Sequence, residues 1–182
     1  IVAFFPFTFA ACDSGSDNDD TLAPEPVGPQ RGTLVESPPT RTASLTPDNL
    51  LDAVESVPEA QQILELIAPP KCGIDIHYLH YNTVDPSDAA TTASGTMMIP
   101  TGDDPACQGP RPIVVYAHGT QVERALNQAD ITNEDNVEAL LAAVAFTAQG
   151  YILVAPNYAG FDVSELDYHP YLIAAQQAND LI

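Results

Sequence analysis

The sequence predicts an α/β protein built on a mixed β-sheet, and three patterns carry this prediction. Residues 74–81 alternate between opposite faces and residues 93–99 follow after a turn, which indicates two antiparallel strands. Two short apolar runs, 113–117 and 151–155, indicate further strands, the first of them buried on both faces. Residues 133–149 have the apolar spacing of a helix. A helix between two such strands predicts parallel pairing with a right-handed crossover.

The remaining predicted elements are helices. Thr46 and Pro47 have the features of a helix start, with a capping hydroxyl followed by proline at the first helical position. The apolar face of this helix comprises Leu50, Leu51, Val54 and Val57. Pro58 is expected to open a second helix, and the pair forms either a lid or an element packed on the flank of the domain. Gly150 is expected to end the 133–149 helix, and a last helix is expected over 169–181.

The charge of the chain excludes some classes of partner. Its 182 residues include 5 Lys and Arg against 25 Asp and Glu, a formal net charge of −20. Such a surface repels a phosphate backbone, so we expect no nucleic-acid partner. It also has no basic patch for anionic lipid headgroups. We interpret the acidity as a source of solubility, and the length predicts one domain with a short tail.

The N-terminal residues predict export. Residues 1–11 are apolar and uncharged, as in the central region of an incomplete export signal. Residues 9–12 are similar to the lipobox of bacterial lipoproteins, with Phe9 in place of the usual leucine, and imply lipidation of Cys12. The alternative is an ordinary secretory signal with an incidental cysteine. Either way we expect an exported protein, held at a membrane facing the periplasm or cell exterior, or secreted. Residues 12–45 are expected to form a disordered acidic and proline-rich tether before a domain at 46–182.

Two further cysteines fit an oxidising compartment. Cys72 and Cys107 flank the first two predicted strands, and their spacing matches no zinc-site pattern. A disulfide between them and two free buried thiols both remain open on this evidence.

The most distinctive stretch is an apolar strand that runs directly into His118, Gly119 and Thr120. With two other segments, it resembles the N-terminal half of a secreted bacterial α/β-hydrolase of the esterase or lipase kind. The segments that carry the resemblance are 93–100, 113–120 and 150–160. The resemblance implies an incomplete α/β-hydrolase fold, comprising its N-terminal strands and the first βαβ unit of a mostly parallel sheet.

The resemblance also implies a chemistry. Attack on an ester carbonyl builds negative charge on oxygen, which fixed N–H donors stabilise in an oxyanion hole. Thr120 is expected to supply a backbone donor, with Gly119 allowing a close approach and unusual dihedral angles. His118 precedes the nucleophile in the chain and is therefore expected to support the loop rather than act as the base. Tyr158 is expected either to line the acyl pocket or to pack beneath the loop.

The expected function is hydrolysis of carboxylic esters, with a small ester or a lipid as substrate. No Gly-x-Ser-x-Gly motif occurs, so we expect the nucleophilic serine, the acid and the catalytic histidine beyond Ile182, and the 182-residue chain alone to be inactive. The alternatives are a peptidase on the same fold and a non-catalytic surface lipoprotein that uses the domain for binding. No nucleotide or metal motif is present, so no cofactor and no metal are implied.

Overall fold

The computed structural model describes residues 30–58, 60, 66–133 and 135–181. Its strands are β1 (Thr40–Leu45), β2 (Gly73–Val84), β3 (Ala90–Thr101), β4 (Ile113–Val115) and β5 (Ile152–Pro156). Its α-helices are α1 (Pro47–Glu55), α2 (Val137–Ala145) and α3 (Ala174–Asp180). Short 3-10 turns lie at Pro105–Cys107 and Thr147–Gln149.

The five strands form one mixed sheet in the order β1-β2-β3-β5-β4. The β1–β2, β2–β3 and β3–β5 pairs are antiparallel, whereas β4 and β5 are parallel. Both the antiparallel hairpin and the parallel pair separated by a helix are therefore confirmed. Since β4 and β5 run in the same direction, the loops that follow them leave the sheet at the same edge.

Local signals at two helix ends are also confirmed. The hydroxyl of Thr46 accepts a hydrogen bond from the amide of Asn49 at 3.2 Å, and Pro47 opens α1. Gly150 has φ +101° and ends the turn that extends α2, and a Cβ there would lie 2.3 Å from the carbonyl oxygen of Ala106. Only glycine fits this position without displacing the backbone of the neighbouring turn.

The hydrophobic core lies on one face of the sheet, beneath α1 and α2. Its fully buried members include Leu50, Val54, Ile74, Ile76, Met98, Val144 and Leu153. Of the two roles considered for the first helix, α1 therefore takes the packed position on the flank. Because side chains alternate along a strand, Leu79 and Val154 face the other side, where they line a cavity of about 130 Å³ beside α3.

Two expectations differ from the structure. In the tether expected over residues 12–45, residues 40–45 form β1, which pairs with β2, and Leu34 forms a bridge with Tyr81, while residues 12–29 lie outside the described residues. Strand β1 has a polar sequence, and it forms because its backbone makes hydrogen bonds with β2. The expectation that 113–117 is buried on both faces is wrong, because β4 ends at Val115 and is last in the sheet order. Ile113 and Val115 remain 65% and 54% exposed.

The helices are shorter than expected. Helix α2 begins at Val137 rather than 133, and α3 begins at Ala174 rather than 169, since the preceding residues form turns instead. Most of the expected second helix, the export segment 1–11 and Cys12 lie outside the described residues. No helix in the described part of the chain is both long enough and apolar enough to cross a bilayer.

The structure joins Cys72 and Cys107 in a disulfide, with their Cα atoms 5.6 Å apart. Both residues are buried. The bond ties the residue before β2 to the 3-10 turn at Pro105–Cys107, which itself packs on Gly150. On a chain-entropy model, closing a loop of this length contributes roughly 3–4 kcal/mol to stability.

Candidate active site

The candidate site lies at the edge of the sheet where β4 and β5 end. Residues 116–133 follow β4 and are termed the β4 loop, and residues 157–173 follow β5 and are termed the β5 loop. Between the two loops lies a cavity of about 180 Å³, with a wider one of about 330 Å³ beside it. Both cavities are lined by Thr120, Gln121, Phe161, His169 and Tyr171. Ligands of α/β sheets bind at this kind of edge.

His118 is 8% exposed and sits at the base of the β4 loop. Its Nδ1 lies 2.7 Å from the carbonyl oxygen of Gly119, so the tautomer with a proton on Nδ1 donates a hydrogen bond there. Burial lowers the pKa of His118, which favours the neutral imidazole. Its ring centroid lies 4.6 Å from that of Tyr158. This geometry suits a residue that supports the loop.

Gly119 makes a contact that the sequence did not predict. Its amide donates a 2.8 Å hydrogen bond to Oε1 of Glu138, so this N–H is not available to a substrate oxygen. Its φ also lies outside the left-handed region, and a Cβ there would approach Oε2 of Glu138 to 3.4 Å. The unusual dihedral angles expected for Gly119 are absent, whereas its place beside Thr120 in the oxyanion hole stays a prediction.

Thr120 is exposed at the mouth of the cavity. Its hydroxyl lies 3.2 Å from the hydroxyl of Tyr171, which connects the β4 loop to the β5 loop. Its amide donates to no other group in the part of the chain that the structure describes. Of the two residues expected to form the oxyanion hole, Thr120 is thus the one with an N–H still free to bind a ligand.

Glu138 was not singled out by sequence reasoning, although it lies in the first turn of α2, where the helix dipole favours a carboxylate. Its Oε1 accepts hydrogen bonds from both the Gly119 amide and the Tyr116 hydroxyl, each at 2.8 Å. Burial and the hydrogen bond to Glu138 raise the pKa of Tyr116 to about 12, so the phenol remains a donor at neutral pH. An acid in the first turn of the helix after a His-Gly loop is the sequence signal for this contact.

Tyr158 is 5% exposed and has φ +64°, a backbone conformation that non-glycine residues seldom adopt. Its ring packs on His118, and it lines the smaller cavity. Burial raises the pKa of its hydroxyl. Leu172 (φ +59°), Asp162 (φ +50°) and Gly160 (φ +90°) share the left-handed conformation in this loop. Strained backbone concentrated beside a cavity is typical of functional sites.

Asp180 holds the start of the β5 loop from beneath. Its carboxylate accepts hydrogen bonds from the Ala159 amide at 2.9 Å, and from the Thr83 hydroxyl and the Gln176 side chain, each at 3.0 Å. Burial raises the pKa of Asp180, although these hydrogen bonds act to lower it. Sequence reasoning missed this residue, because two of its partners, Thr83 and Ala159, lie 97 and 21 residues earlier in the chain.

Buried amides and hydroxyls join the two loops to the sheet. Asn157 accepts a hydrogen bond from the Gln128 amide at 2.8 Å and donates one to the Ser94 hydroxyl at 2.9 Å. Ser94 in turn donates to Asp162 at 2.7 Å. Arg124 donates two hydrogen bonds, to the carbonyl oxygens of Leu166 and Ser164. Among the described residues, no three His, Cys, Asp or Glu side chains are grouped as metal ligands would be.

Solved structures similar to this chain are hydrolases. A ligand-bound form of the rice cell wall degrading esterase LipA from Xanthomonas oryzae matches with a TM-score of 0.67 and 30% identity over 84% of this chain. Another crystal structure of that esterase matches with a TM-score of 0.66 and 29% identity over 84% of this chain. A proposed hydrolase from Legionella pneumophila matches with a TM-score of 0.63 and 24% identity over 81% of this chain.

The chain spans 36% of the length of the esterase chains and 37% of the Legionella chain. No protein-family model and no curated protein sequence matches it. The mixed five-strand sheet, its helices and these structural neighbours together show an incomplete α/β-hydrolase fold.

Proposed function

We propose that this chain is part of a serine hydrolase that acts on carboxylic esters, and that the backbone amide of Thr120 is one donor of its oxyanion hole. The observation that carries the proposal is the free Thr120 amide at the mouth of a cavity between the β4 and β5 loops. The likeness to an esterase at 30% identity supports the ester as substrate class.

In this proposal the amide acts at the step in which the ester carbonyl becomes tetrahedral. A serine hydroxyl attacks the carbonyl carbon, its proton passes to a histidine, and the carbonyl oxygen acquires negative charge. A fixed N–H stabilises that charge more in the transition state than in the ground state. The serine, the acid and the histidine lie beyond Ile182 in this proposal. His118 supports the loop, and Tyr158 forms the wall of the acyl pocket.

The proposal extends to location. The apolar residues 1–11 and the lipobox-like residues 9–12 support export and lipidation of Cys12, which would hold the enzyme at a membrane. The substrate would then be a small ester or a lipid. Mass spectrometry of the N-terminal peptide from the native host tests this part: a diacylglyceryl-modified Cys12 is expected, and an unmodified cysteine would contradict lipidation.

Replacement of the Thr120 amide tests the catalytic proposal. In the whole protein, Thr120→Pro removes the N–H, and we expect kcat for p-nitrophenyl butyrate to fall about 10²–10³-fold. Thr120→Ala keeps the amide and should lose far less. Glu123→Pro is the matched control, because it removes another amide from the exposed part of the same loop. Wild-type activity in a folded Thr120→Pro protein would overturn the role of this amide.

A second measurement needs no variant. A phosphonate inhibitor forms a covalent analogue of the tetrahedral intermediate on a nucleophilic serine, and the Thr120 amide proton is expected to shift downfield when the adduct forms. No shift at Thr120 in a labelled protein would contradict the assignment. Faster turnover of an amide than of its matching ester would favour the peptidase. No adduct and no turnover would favour the non-catalytic binding protein.

A further inference from the structure

Glu138 accepts a hydrogen bond from Gly119, the residue that precedes the proposed oxyanion donor. One carboxylate oxygen accepts the Gly119 amide and the Tyr116 hydroxyl, each at 2.8 Å, so a single atom ties two residues that flank His118. The second carboxylate oxygen, Oε2, also lies near Gly119, where a Cβ would be 3.4 Å from it. This contact joins α2 to the β4 loop across 19 residues of sequence.

The consequence follows from the planarity of the peptide bond. The hydrogen bond to Glu138 fixes the plane of the His118–Gly119 peptide through its N–H. The carbonyl oxygen of Gly119 accepts from His118, which fixes the next plane, that of the Gly119–Thr120 peptide. In a trans peptide the N–H points opposite to the C=O. Two successive planes are thus held in place, and the second carries the Thr120 N–H.

Helix α2 is itself a firm support. Ala139, Leu140 and Ala143 are buried in the core next to Glu138, so the backbone that carries the carboxylate is fixed by packing. The Tyr116 hydroxyl donates to the same oxygen and holds the side chain in one orientation. Hydrogen bonds to an ionised acceptor are about twice as strong as neutral ones. Glu138 thereby holds the β4 loop in a fixed position relative to α2.

We propose that Glu138 is a positioning residue that orients the Thr120 amide through its hydrogen bond to Gly119. The proposal rests on the proposed function for its kinetic consequence, but not for the contact itself. Glu138 touches no reacting atom in this scheme. Its loss leaves the Thr120 amide present but no longer held in one direction, which affects the transition state more than substrate binding.

Kinetics of the whole protein test the consequence. Glu138→Ala is expected to lower kcat about 10–100-fold, as a displacement of roughly 1 Å can do, while KM changes little. Glu138→Gln is expected to restore most of kcat, because its amide oxygen still accepts the Gly119 N–H. Glu123→Ala removes an exposed acid from the β4 loop and should leave kcat unchanged. Unchanged kcat in Glu138→Ala, or no recovery in Glu138→Gln, would overturn the proposal.

Amide hydrogen exchange tests the contact even if the protein does not hydrolyse esters. Loss of this hydrogen bond removes the protection of the Gly119 amide, so its exchange should become at least about tenfold faster in Glu138→Ala. Glu138→Gln should return the rate towards that of the wild type. Equal exchange rates in all three proteins would overturn the positioning role, whereas faster exchange in an inactive protein would retain the contact and reject the proposed function alone.

Discussion

The β4 loop and the β5 loop face one cavity but are attached to the domain in different ways. The β4 loop is held at Gly119 by Glu138, a partly exposed carboxylate, and its residues from Gly119 to Glu123 are largely at the surface. The β5 loop is held at Ala159 by Asp180, a carboxylate that is 2% exposed. An acidic side chain therefore accepts a hydrogen bond from a backbone amide in each loop, and this side chain is partly exposed in one loop and buried in the other.

The β5 loop has further buried attachments to the β2–β3 hairpin. The Ser164 hydroxyl donates to the carbonyl oxygen of Thr92 at 2.7 Å, and Asp162 accepts from Ser94 and from Tyr78. Gly160 has φ +90° and lies so close to Tyr168 that a Cβ would be 2.2 Å from its carbonyl oxygen. This loop therefore forms a fixed wall of the cavity, as a part of the folded core.

Burial decides what each anchor contributes. Buried donors that lose their acceptor cannot form hydrogen bonds with water instead, so the loss of Asp180 lowers the free energy of unfolding of the whole domain. An exposed amide that loses Glu138 can bind water instead, which limits the effect on stability. The difference suggests that changes in the β5 loop act first on folding, whereas changes at Glu138 act first on the geometry of the site.

The largest effect is expected for Asp180→Ala. It leaves the Ala159 amide, Thr83 and Gln176 without their acceptor, and should lower the free energy of unfolding of the whole protein by about 3 kcal/mol. Urea titration followed by circular dichroism measures it. Glu165→Ala, an exposed acid of the same loop, is the control and should stay within about 0.5 kcal/mol of wild type. A loss no larger than that of Glu138→Ala would remove the distinction between the two anchors.

A smaller effect is expected in the pH dependence of stability. Burial raises the pKa of Asp180 above its ordinary value of 3.8, so the folded protein keeps this proton where the unfolded chain has lost it. Protonated Asp180 therefore contributes its full share of the free energy of unfolding at pH values below the pKa of Asp180 in the unfolded chain. This contribution is lost as the pH rises through the pKa of Asp180 in the folded protein.

Asp180→Asn has no proton to lose at this position. The free energy of unfolding of the wild type, minus that of Asp180→Asn, should thus decrease as pH rises from about 4 towards neutrality. Urea titrations of both proteins across this range measure the difference. Parallel pH curves would show that burial does not set the behaviour of this anchor.

The smallest effect is expected at the contact between the loops. Arg124 donates to the carbonyl oxygens of Leu166 and Ser164, and the single ammonium group of Arg124→Lys cannot reproduce this planar fork. Since Arg124 is exposed, we expect a loss of about 1 kcal/mol in the free energy of unfolding. Urea titration of the variant and of the wild type measures this loss. A loss equal to that of Asp180→Ala would indicate that the two loops unfold as one unit.

Much of the framework was predictable because its signals are local. Alternation along β2 and β3, the hydroxyl of Thr46 and the position of Gly150 act between residues a few positions apart. Strand β1 was missed because its polar sequence carries no pattern of its own, and its backbone partners lie about 30 residues further along, in β2. The end position of β4 was missed because exposure depends on which strands are neighbours, which a single strand does not encode.

The sequence by itself determined the α/β class, the location of the loop at His118 and the residue types available there. Only the tertiary structure decided that the Gly119 amide binds Glu138, that the Thr120 amide is free, and that Asp180 holds Ala159. The reason is physical: propensity and periodicity act over a few residues, whereas these contacts join segments about 20 residues apart whose meeting depends on how β4, β5 and the helices pack.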